Sequence, residues 1–226
     1  WDNVRALTKE GFMGMTIPEA YGGQGASYLD AVLVIEEMAK VCGVTGRIVV
    51  EGNMGAIGAI IKYGSEAQKK LAAGLVLAGD KPAICITEPG AGSAASEMNT
   101  RADKKGGVYV LNGTKQFISG SGFNDVYVTM VRTGDHKTKG ITCLVIDKDT
   151  PGVSFGKPEK KLGWNASPTA QVIFEDARVP VANRVGDEGE GFRFAMMGLD
   201  GGRLNIGACS LGGAQRCLDE AVKYTK

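Results

Sequence analysis

The spacing of apolar residues changes twice along the chain, and this change constrains the fold more than any other feature. Residues 1–80 place apolar side chains at helical spacing between glycine-rich turns. From Lys81 to about Pro180, short runs rich in β-branched and aromatic residues are separated by turn pairs, and helical spacing then returns. Because helices and strands are segregated along the chain, the sequence argues against a βαβ dinucleotide fold and predicts packed α and β domains.

The predicted fold is therefore a multidomain α+β protein with three parts. Residues 1–80 form a partial N-terminal helical domain, 81–180 a central β-domain of antiparallel strands closed as a barrel or sandwich, and 181–226 the beginning of a C-terminal helical domain. Ser27 with Asp30 and Ser65 with Gln68 have the spacing of N-terminal capping boxes. Trp1 stands before a helical pattern without a cap, and the final CLDEAVKYTK stops inside one, so we expect both ends to be truncated.

Charge and cysteine content exclude several functional classes. The 26 Lys and Arg residues nearly cancel the 25 Asp and Glu residues, so no strong net charge would attract nucleic acid or an acidic membrane surface. The five cysteines are odd in number and contain no C-x-x-C pair, which disfavours a disulfide framework or a zinc site. We expect no metal site, and His136 is interpreted as a loop residue. No apolar stretch approaches the roughly 20 residues of a membrane span, and no signal peptide is evident.

One glycine-rich loop follows a predicted strand and can approach a ligand. Gly90 and Gly92 allow close approach of the backbone, and Ser93 offers a hydroxyl and an N–H to a phosphate oxygen. Alone this indicates only a turn. Thr87 lies just before it, and NGTKQFISG places Phe117 and Ser119 at the end of a later strand, which strengthens the interpretation as a ligand site.

The order and spacing of several motifs resemble those of the acyl-CoA dehydrogenase family. These motifs are ITEPGAGS, LNGTKQFISG, TPGV, VIFEDARVP, and GEGF leading into a helix. The resemblance extends from Ile17 to the end of the chain. It implies that the β-domain contacts one face of FAD and that an acyl-CoA thioester lies on the other face. Relatives often carry Trp at the position of Phe117 and Thr at that of Ser119, and both replacements here keep an aromatic face and a hydroxyl.

The resemblance assigns roles to individual positions. Ile86 and Thr87 would meet the flavin, Gly92 and Ser93 its pyrophosphate, and Phe117, Ile118 and Ser119 its ring system. The full cofactor-binding set is Cys85, Ile86, Thr87, Gly92, Ser93, Phe117, Ile118 and Ser119. The substrate-binding set is Glu51, Ser93, Ser167, Asp200, Gly201, Gly202 and Arg203. For Ser167 a plain loop serine remains an alternative, and for Glu51 and Arg203, expected to lie close together, an ordinary salt bridge.

The last helical segment contains an unusual number of glycines. Each glycine inside a helix costs about 1 kcal/mol relative to alanine, so a compensating role is expected. For Gly207, Gly212 and Gly213 we expect close packing of another helix. For residues 200–203 the resemblance indicates backbone that the acyl thioester approaches.

The resemblance implies α,β-desaturation of an acyl-CoA, in which a Glu removes the α-proton while the β-hydrogen leaves as hydride to flavin N5. No residue of this chain is predicted to be that catalytic base. One branch of the family places the Glu where Gly202 stands, and the other places it at a position beyond Lys226. Asp200 is nearby, but in relatives it shapes the pocket. We therefore expect the isolated chain to be inactive.

The glycine pair in LDGGR is similar to short- and branched-chain family members, the isobutyryl-CoA type in particular. The family also implies an electron-transfer flavoprotein as acceptor and a homodimer or homotetramer. The location would be cytoplasmic in a bacterium or the mitochondrial matrix in a eukaryote. Two alternatives remain open, a dehydrogenase-like flavoprotein without desaturase activity and a flavin-free β-sandwich interaction module.

Overall fold

The computed structural model describes residues 2–226, so the expectation about Trp1 lies outside the described residues. Five helices come first: α1 (Asp2–Lys9), α2 (Tyr28–Ala39), α3 (Gly43–Asn53), α4 (Ala56–Tyr63) and α5 (Glu66–Leu77). Both predicted capping boxes are confirmed. The Ser27 and Ser65 hydroxyls each accept the backbone N–H of the residue three positions on, and the side chain of that residue accepts the serine backbone N–H. These reciprocal bonds satisfy N–H groups that the helix itself leaves unpaired.

The stretch Gly43–Tyr63 is long and apolar enough, by length and composition, to be a candidate membrane span. In the fold it is two helices, α3 and α4, separated at Met54 and Gly55, where Gly55 has a φ of +65°. Within its most apolar 18-residue window, 56% is buried inside the protein. These helices therefore serve as core helices of the N-terminal region.

Eight strands form one sheet. They are β1 (Ala83–Cys85), β2 (Arg101–Lys105), β3 (Val108–Ser119), β4 (Val126–Arg132), β5 (Ile141–Asp147), β6 (Val153–Phe155), β7 (Thr169–Pro180) and β8 (Arg184–Val185). The order is β6-β7-β3-β2-β4-β5-β8, with β1 joined to β4. The expectation of a purely antiparallel domain is wrong, because β1 runs parallel to β4 and β2 meets β4 in parallel at Arg101 and Arg132. A helical connection, α5, brings the chain to β1, and no hairpin dictates the direction of that strand.

The two faces of the sheet are buried differently. One face packs against the helices in a cluster that includes Ile57, Val76, Met130 and Phe194. The other face closes on itself around residues such as Tyr109, Tyr127, Leu144 and Phe174. The sheet is thus held on both sides, and its strand ends are fixed where they meet the helices.

A single long helix, α6 (Gly191–Thr225), ends the chain. It packs on β5, α2 and α3. The expected close packing is confirmed at Gly212, where a Cβ would clash with the carbonyl oxygen of Glu36 and lie 2.9 Å from the Cβ of Ala39. It is wrong at Gly207 and Gly213, where a Cβ would meet nothing within 4 Å, because these residues face away from α2.

Candidate functional site

A cavity of about 480 Å³ opens where the end of β1, the end of β3, α3 and α6 meet. This volume lies within the roughly 300–1,000 Å³ of small-molecule sites. The cavity brings together most of the predicted site residues, although they are far apart in sequence. Those that line it are Glu51, Ile86, Thr87, Gly92, Ser93, Phe117, Ile118, Ser119 and Gly202.

A buried ion pair fixes the loop that follows β1. The Lys115 ammonium is fully buried, donates to a Glu88 carboxylate oxygen at 2.8 Å, and donates to the Ile86 carbonyl at 3.1 Å. Glu88 also accepts the backbone N–H groups of Asn99 at 2.6 Å and Thr100 at 2.9 Å. Because both carboxylate oxygens and the ammonium are hydrogen-bonded, the pair holds the 86–93 loop in one conformation.

The ionised form of Glu88 is favoured in the folded protein. Burial alone would raise the pKa of this carboxyl, but the charge of Lys115 and the hydrogen bonds from Asn99, Lys115 and Thr100 outweigh it. The pKa of Glu88 is therefore lowered from its ordinary value of 4.5. The carboxylate at this position stays charged at neutral pH and keeps the loop fixed.

Phe117 is presented to the cavity by a strained backbone. Its φ is +58°, a conformation that non-glycine residues adopt at a cost of about 1–3 kcal/mol. It lies in an irregularity of the β3–β7 pairing, where the register shifts between Lys115 and Ile118. The side chain is 61% exposed despite its aromatic ring. A strained and exposed aromatic residue at a cavity is typical of a ligand contact.

Three hydroxyl groups at the same cavity have no hydrogen-bond partner within residues 2–226. They belong to Thr87, Ser93 and Ser119, which lie on its β-domain side. The backbone of Gly92 is also accessible from the cavity, because a Cβ there would meet nothing within 4 Å. An aromatic face, free hydroxyls and open glycine backbone are the groups that a flavin ring and a pyrophosphate require. The residues present therefore fit FAD.

Two predicted residues of the β-domain lie away from the cavity. Cys85 is fully buried, and burial raises the pKa of its thiol to about 12. Its side chain belongs to the core inside the sheet because it points to the face opposite that of Ile86. Ser167 lines a second cavity of about 290 Å³, together with Val4, Lys81 and Phe123. The structure does not bring either residue to the main cavity.

The predicted juxtaposition of Arg203 and Glu51 is wrong. Arg203 and Asp200 stand one turn apart on α6, both about 70% exposed, and pair with each other. Glu51 instead contacts Lys81 and lies 3.2 Å from a guanidinium nitrogen of Arg47. Gly201 lies outside the cavity, with Tyr28 beside it at 3.9 Å from an added Cβ. Of residues 200–203, only Gly202 reaches the main cavity, because a helix turns successive residues to different sides.

Sequence reasoning missed three residues at the α-helical end of the cavity. Arg47 and Asn205 line the cavity. Lys81 does not line it but contacts Glu51, which does. The Asn205 side chain is fully buried, and neither its oxygen nor its nitrogen has a hydrogen-bond partner. The only sequence signal for these residues was the i, i+4 spacing of Arg47 and Glu51. This signal is weak because such ion pairs are common on exposed helix surfaces.

Acid–base and metal chemistry are restricted in the part of the chain that the structure describes. Glu51 is the only carboxylate among the residues that line the main cavity, and two cations surround it. Residues 2–226 contain no group of three His, Cys, Asp or Glu side chains that could hold a metal ion.

Three family models match the chain in succession. The N-terminal domain of acyl-CoA dehydrogenases matches residues 1–80, the middle domain 83–177 and the C-terminal domain 189–226. The mitochondrial isobutyryl-CoA dehydrogenase of Dictyostelium discoideum is 52% identical over all of the chain and 54% of its own length. A 3-sulfinopropanoyl-CoA desulfinase of Paraburkholderia xenovorans (strain LB400) is 48% identical over all of the chain and 59% of its own length.

Solved structures of acyl-CoA dehydrogenases have the same fold as this chain. Butyryl-CoA dehydrogenase from Megasphaera elsdenii superposes with a TM-score of 0.92 and 37% identity, covering 99% of this chain and 60% of its own. The chain thus spans somewhat more than half the length of the curated relatives it matches.

Proposed function

Since the chain belongs to the acyl-CoA dehydrogenase family, we propose that it forms the flavin-binding wall and part of the acyl pocket of an FAD-dependent enzyme that oxidises acyl-CoA thioesters. One observation carries this proposal. A strained exposed aromatic residue, three free hydroxyls and open glycine backbone meet at one cavity. The three hydroxyls come from the loop after β1 and from the end of β3, which a buried ion pair holds together.

The residues of the β-domain would hold the cofactor. Gly92 and Ser93 would bind the pyrophosphate, Thr87 and Ser119 would donate to polar atoms of the ring system, and Phe117 would cover its apolar face. FAD, when bound, supplies the two-electron acceptor. The protein contributes placement, exclusion of water and hydrogen bonds that are fixed before the ligand arrives.

The acyl thioester would lie between the cofactor and α6. Gly202 lines the cavity without a neighbour within 4 Å of an added Cβ, so backbone and ligand can approach closely there. For the desaturation itself, a Glu must remove the α-proton while the β-hydrogen leaves as hydride. Glu51 is already paired with two cations. We therefore assign the base to the part of the full-length protein outside this chain, and expect the chain alone to lack desaturase activity.

A second candidate is a flavoprotein that acts on acyl-CoA without desaturating it. Relatives named 3-sulfinopropanoyl-CoA desulfinase are 46–48% identical to the chain, almost as similar as those named isobutyryl-CoA dehydrogenase. The discriminating feature is the residue at the position of the base in the full-length sequence. A Glu there supports desaturation, and a Gln or Ala supports the second candidate.

The family also suggests the setting of the reaction. We propose an electron-transferring flavoprotein as the acceptor and a homodimer or homotetramer as the full-length assembly. A structure from a study of the electron transferring flavoprotein of Acidaminococcus fermentans superposes with a TM-score of 0.93 at 40% identity. Similar proteins are found in mitochondria and in bacteria, which supports a matrix or a cytoplasmic location.

Anaerobic titration of the full-length protein with acyl-CoA thioesters tests the proposal. The flavin absorption should bleach with at least one short or branched acyl-CoA. Ser119→Ala should weaken flavin binding, whereas Ser154→Ala, an exposed serine on β6 away from the cavity, should not. If the full-length protein is colourless and binds no FAD, the proposal fails and the interaction-module alternative gains support. If it binds FAD but no thioester bleaches it, the second candidate is favoured.

A further inference from the structure

The peptide bond between Ile86 and Thr87 offers an unused donor at the main cavity. Both residues line the cavity. The Thr87 carbonyl accepts the Gln116 N–H at 2.8 Å, and the Ile86 carbonyl accepts a hydrogen bond from the Lys115 ammonium at 3.1 Å. The Thr87 N–H has no hydrogen-bond partner within residues 2–226. Two hydrogen bonds thus fix this peptide in place, while its N–H remains available to a ligand.

Lys115 lies behind this peptide. Its side chain is fully buried and does not line the cavity. The peptide is trans, and the N–H and C=O groups of a planar trans peptide point in opposite directions. Since the Ile86 carbonyl points at the Lys115 ammonium, the Thr87 N–H points away from it. The free donor is therefore directed away from the buried lysine, on a segment that lines the cavity.

Lys115 has the surroundings of a charged ammonium. Its Nζ atom donates at 2.8 Å to a Glu88 carboxylate oxygen and at 3.1 Å to the Ile86 carbonyl, and lies 3.7 Å from the Met98 Sδ atom. Three acceptors match the three N–H donors of an ammonium, whereas a neutral amine would turn its lone pair toward one of them. A cation bound to a carbonyl oxygen polarises the whole peptide group, so the N–H on the same peptide becomes a stronger donor.

We propose that Lys115 is a positioning residue that acts on the bound flavin through the 86–87 peptide, strengthening a hydrogen bond from the Thr87 N–H and so favouring reduced over oxidised flavin. Reduction adds electron density to the flavin ring, and a polarised donor stabilises the more electron-rich form more strongly. This role differs from fixing the loop, because a fixed loop does not by itself distinguish the two redox forms. The inference rests on the proposed function, since it concerns the cofactor of that same cavity.

The two-electron midpoint potential of the full-length flavoprotein tests this role. It is measured by anaerobic reductive titration against a reference dye without any thioester, so turnover is not required. The decisive variant combines Lys115→Met with Glu88→Gln, because it removes both charges of the pair and leaves the net charge of the protein unchanged. We expect the affinity for reduced FAD relative to oxidised FAD to fall about tenfold, which lowers the potential of a two-electron couple by about 30 mV.

A surface ion pair provides the matched control. Lys148 also pairs with a carboxylate, that of Asp125, but both side chains are at least one-third exposed and neither lines the main cavity. Lys148→Met with Asp125→Asn should leave the potential at its wild-type value. If the double variant at the buried pair does not accumulate as folded protein, two single variants decide. Lys115→Gln removes the charge and should lower the potential, whereas Lys115→Arg keeps the charge and should stay closer to wild type.

A buried double variant that binds FAD with the wild-type potential or a higher one would overturn the inference, as would an equal fall in the surface double variant. In both cases the proposed function survives, because the flavin is still bound. Weaker binding of both redox forms in equal proportion leaves the potential unchanged, so it would reduce Lys115 to a structural role. If the full-length wild type binds no FAD, the inference fails together with the proposed function.

Discussion

The two walls of the cavity differ in how completely this chain fixes them. The β-domain wall is tied by a fully hydrogen-bonded buried ion pair, Glu88 with Lys115, and by a sheet packed on both faces. The α6 wall is tied by close packing at Gly212, while large apolar residues along the same helix stay exposed, Leu204 at 67% and Leu211 at 56%.

The difference indicates that the two walls have different roles. The wall that would contact the cofactor is organised by contacts inside the chain, so its geometry is set before any ligand binds. The wall that would contact the acyl group has polar and apolar groups without partners, including Asn205. Under the proposed function, rigid contacts would hold the cofactor, and the groups without partners would contact the substrate.

The largest expected effect follows from breaking the β-domain wall at Lys115. Lys115→Met leaves the Glu88 carboxylate buried without its cation and should lower the free energy of unfolding by about 3–5 kcal/mol. Chemical denaturation of the full-length protein measures this. Lys139→Met, at an exposed lysine, should change stability by less than about 0.5 kcal/mol. A double variant with Glu88→Gln should recover part of the loss; a Lys115→Met protein as stable as wild type would contradict this account of the wall.

The α6 wall is tested at two adjacent glycines. Gly212→Ala should destabilise the protein by about 1–3 kcal/mol, because its Cβ overlaps the Glu36 carbonyl and the Ala39 side chain. Gly213→Ala introduces the same methyl group into open space and should stabilise the helix by up to about 1 kcal/mol. Thermal unfolding of both variants side by side gives the comparison. Equal effects at the two positions would show that the helix packing does not depend on Gly212.

A smaller effect is expected in the loop that would hold the pyrophosphate. Gly92→Val places a side chain in the cavity without clashing with the protein, so FAD affinity should fall about tenfold, or 1.4 kcal/mol, while stability is kept. Gly90→Val is the control, because a Cβ there is also free of neighbours and Gly90 does not line the cavity. Fluorescence titration of the apoprotein with FAD measures both. If Gly90→Val lowered the affinity for FAD and Gly92→Val did not, the cofactor would have to bind elsewhere.

The smallest effect is confined to acid pH. The pKa of Glu88 is lowered in the folded state, so its ionised form contributes stability above its unfolded value of about 4.5, and this contribution is lost as pH falls through the lower folded value. Unfolding free energies of wild type and Glu88→Gln should therefore differ above pH 4.5 and converge as pH falls through the lower folded pKa of Glu88. If the difference in unfolding free energy grew as pH fell, the assignment of a lowered pKa to Glu88 would be contradicted.

The fold was predictable where local signals are strong. The capping boxes at Ser27 and Ser65 and the long apolar strands around Val128 and Ile173 follow directly from residue type and spacing. β2, with the sequence RADKK, was not predictable because its residues are mostly charged and exposed, and only its pairing with β3 makes it a strand.

The candidate site was predictable only on its β-domain side. Glycine and hydroxyl residues at strand ends have a recognisable pattern, and the structure brings them to one cavity. Arg47 and Asn205 meet there through helix packing between segments more than 150 residues apart, which no local pattern reports. The pairing of Glu51 with Arg47 and Lys81 instead of Arg203 depends on how each helix is rotated, and sequence spacing does not determine that rotation.

Hydrogen exchange of the full-length protein, with and without FAD, tests the location of the cofactor most directly. FAD should slow exchange in the 86–93 loop and at residues 117–119, with less change in the exposed second half of α6. Protection confined to α6, or absent from both β-domain segments, would contradict the assignment of the flavin to this wall.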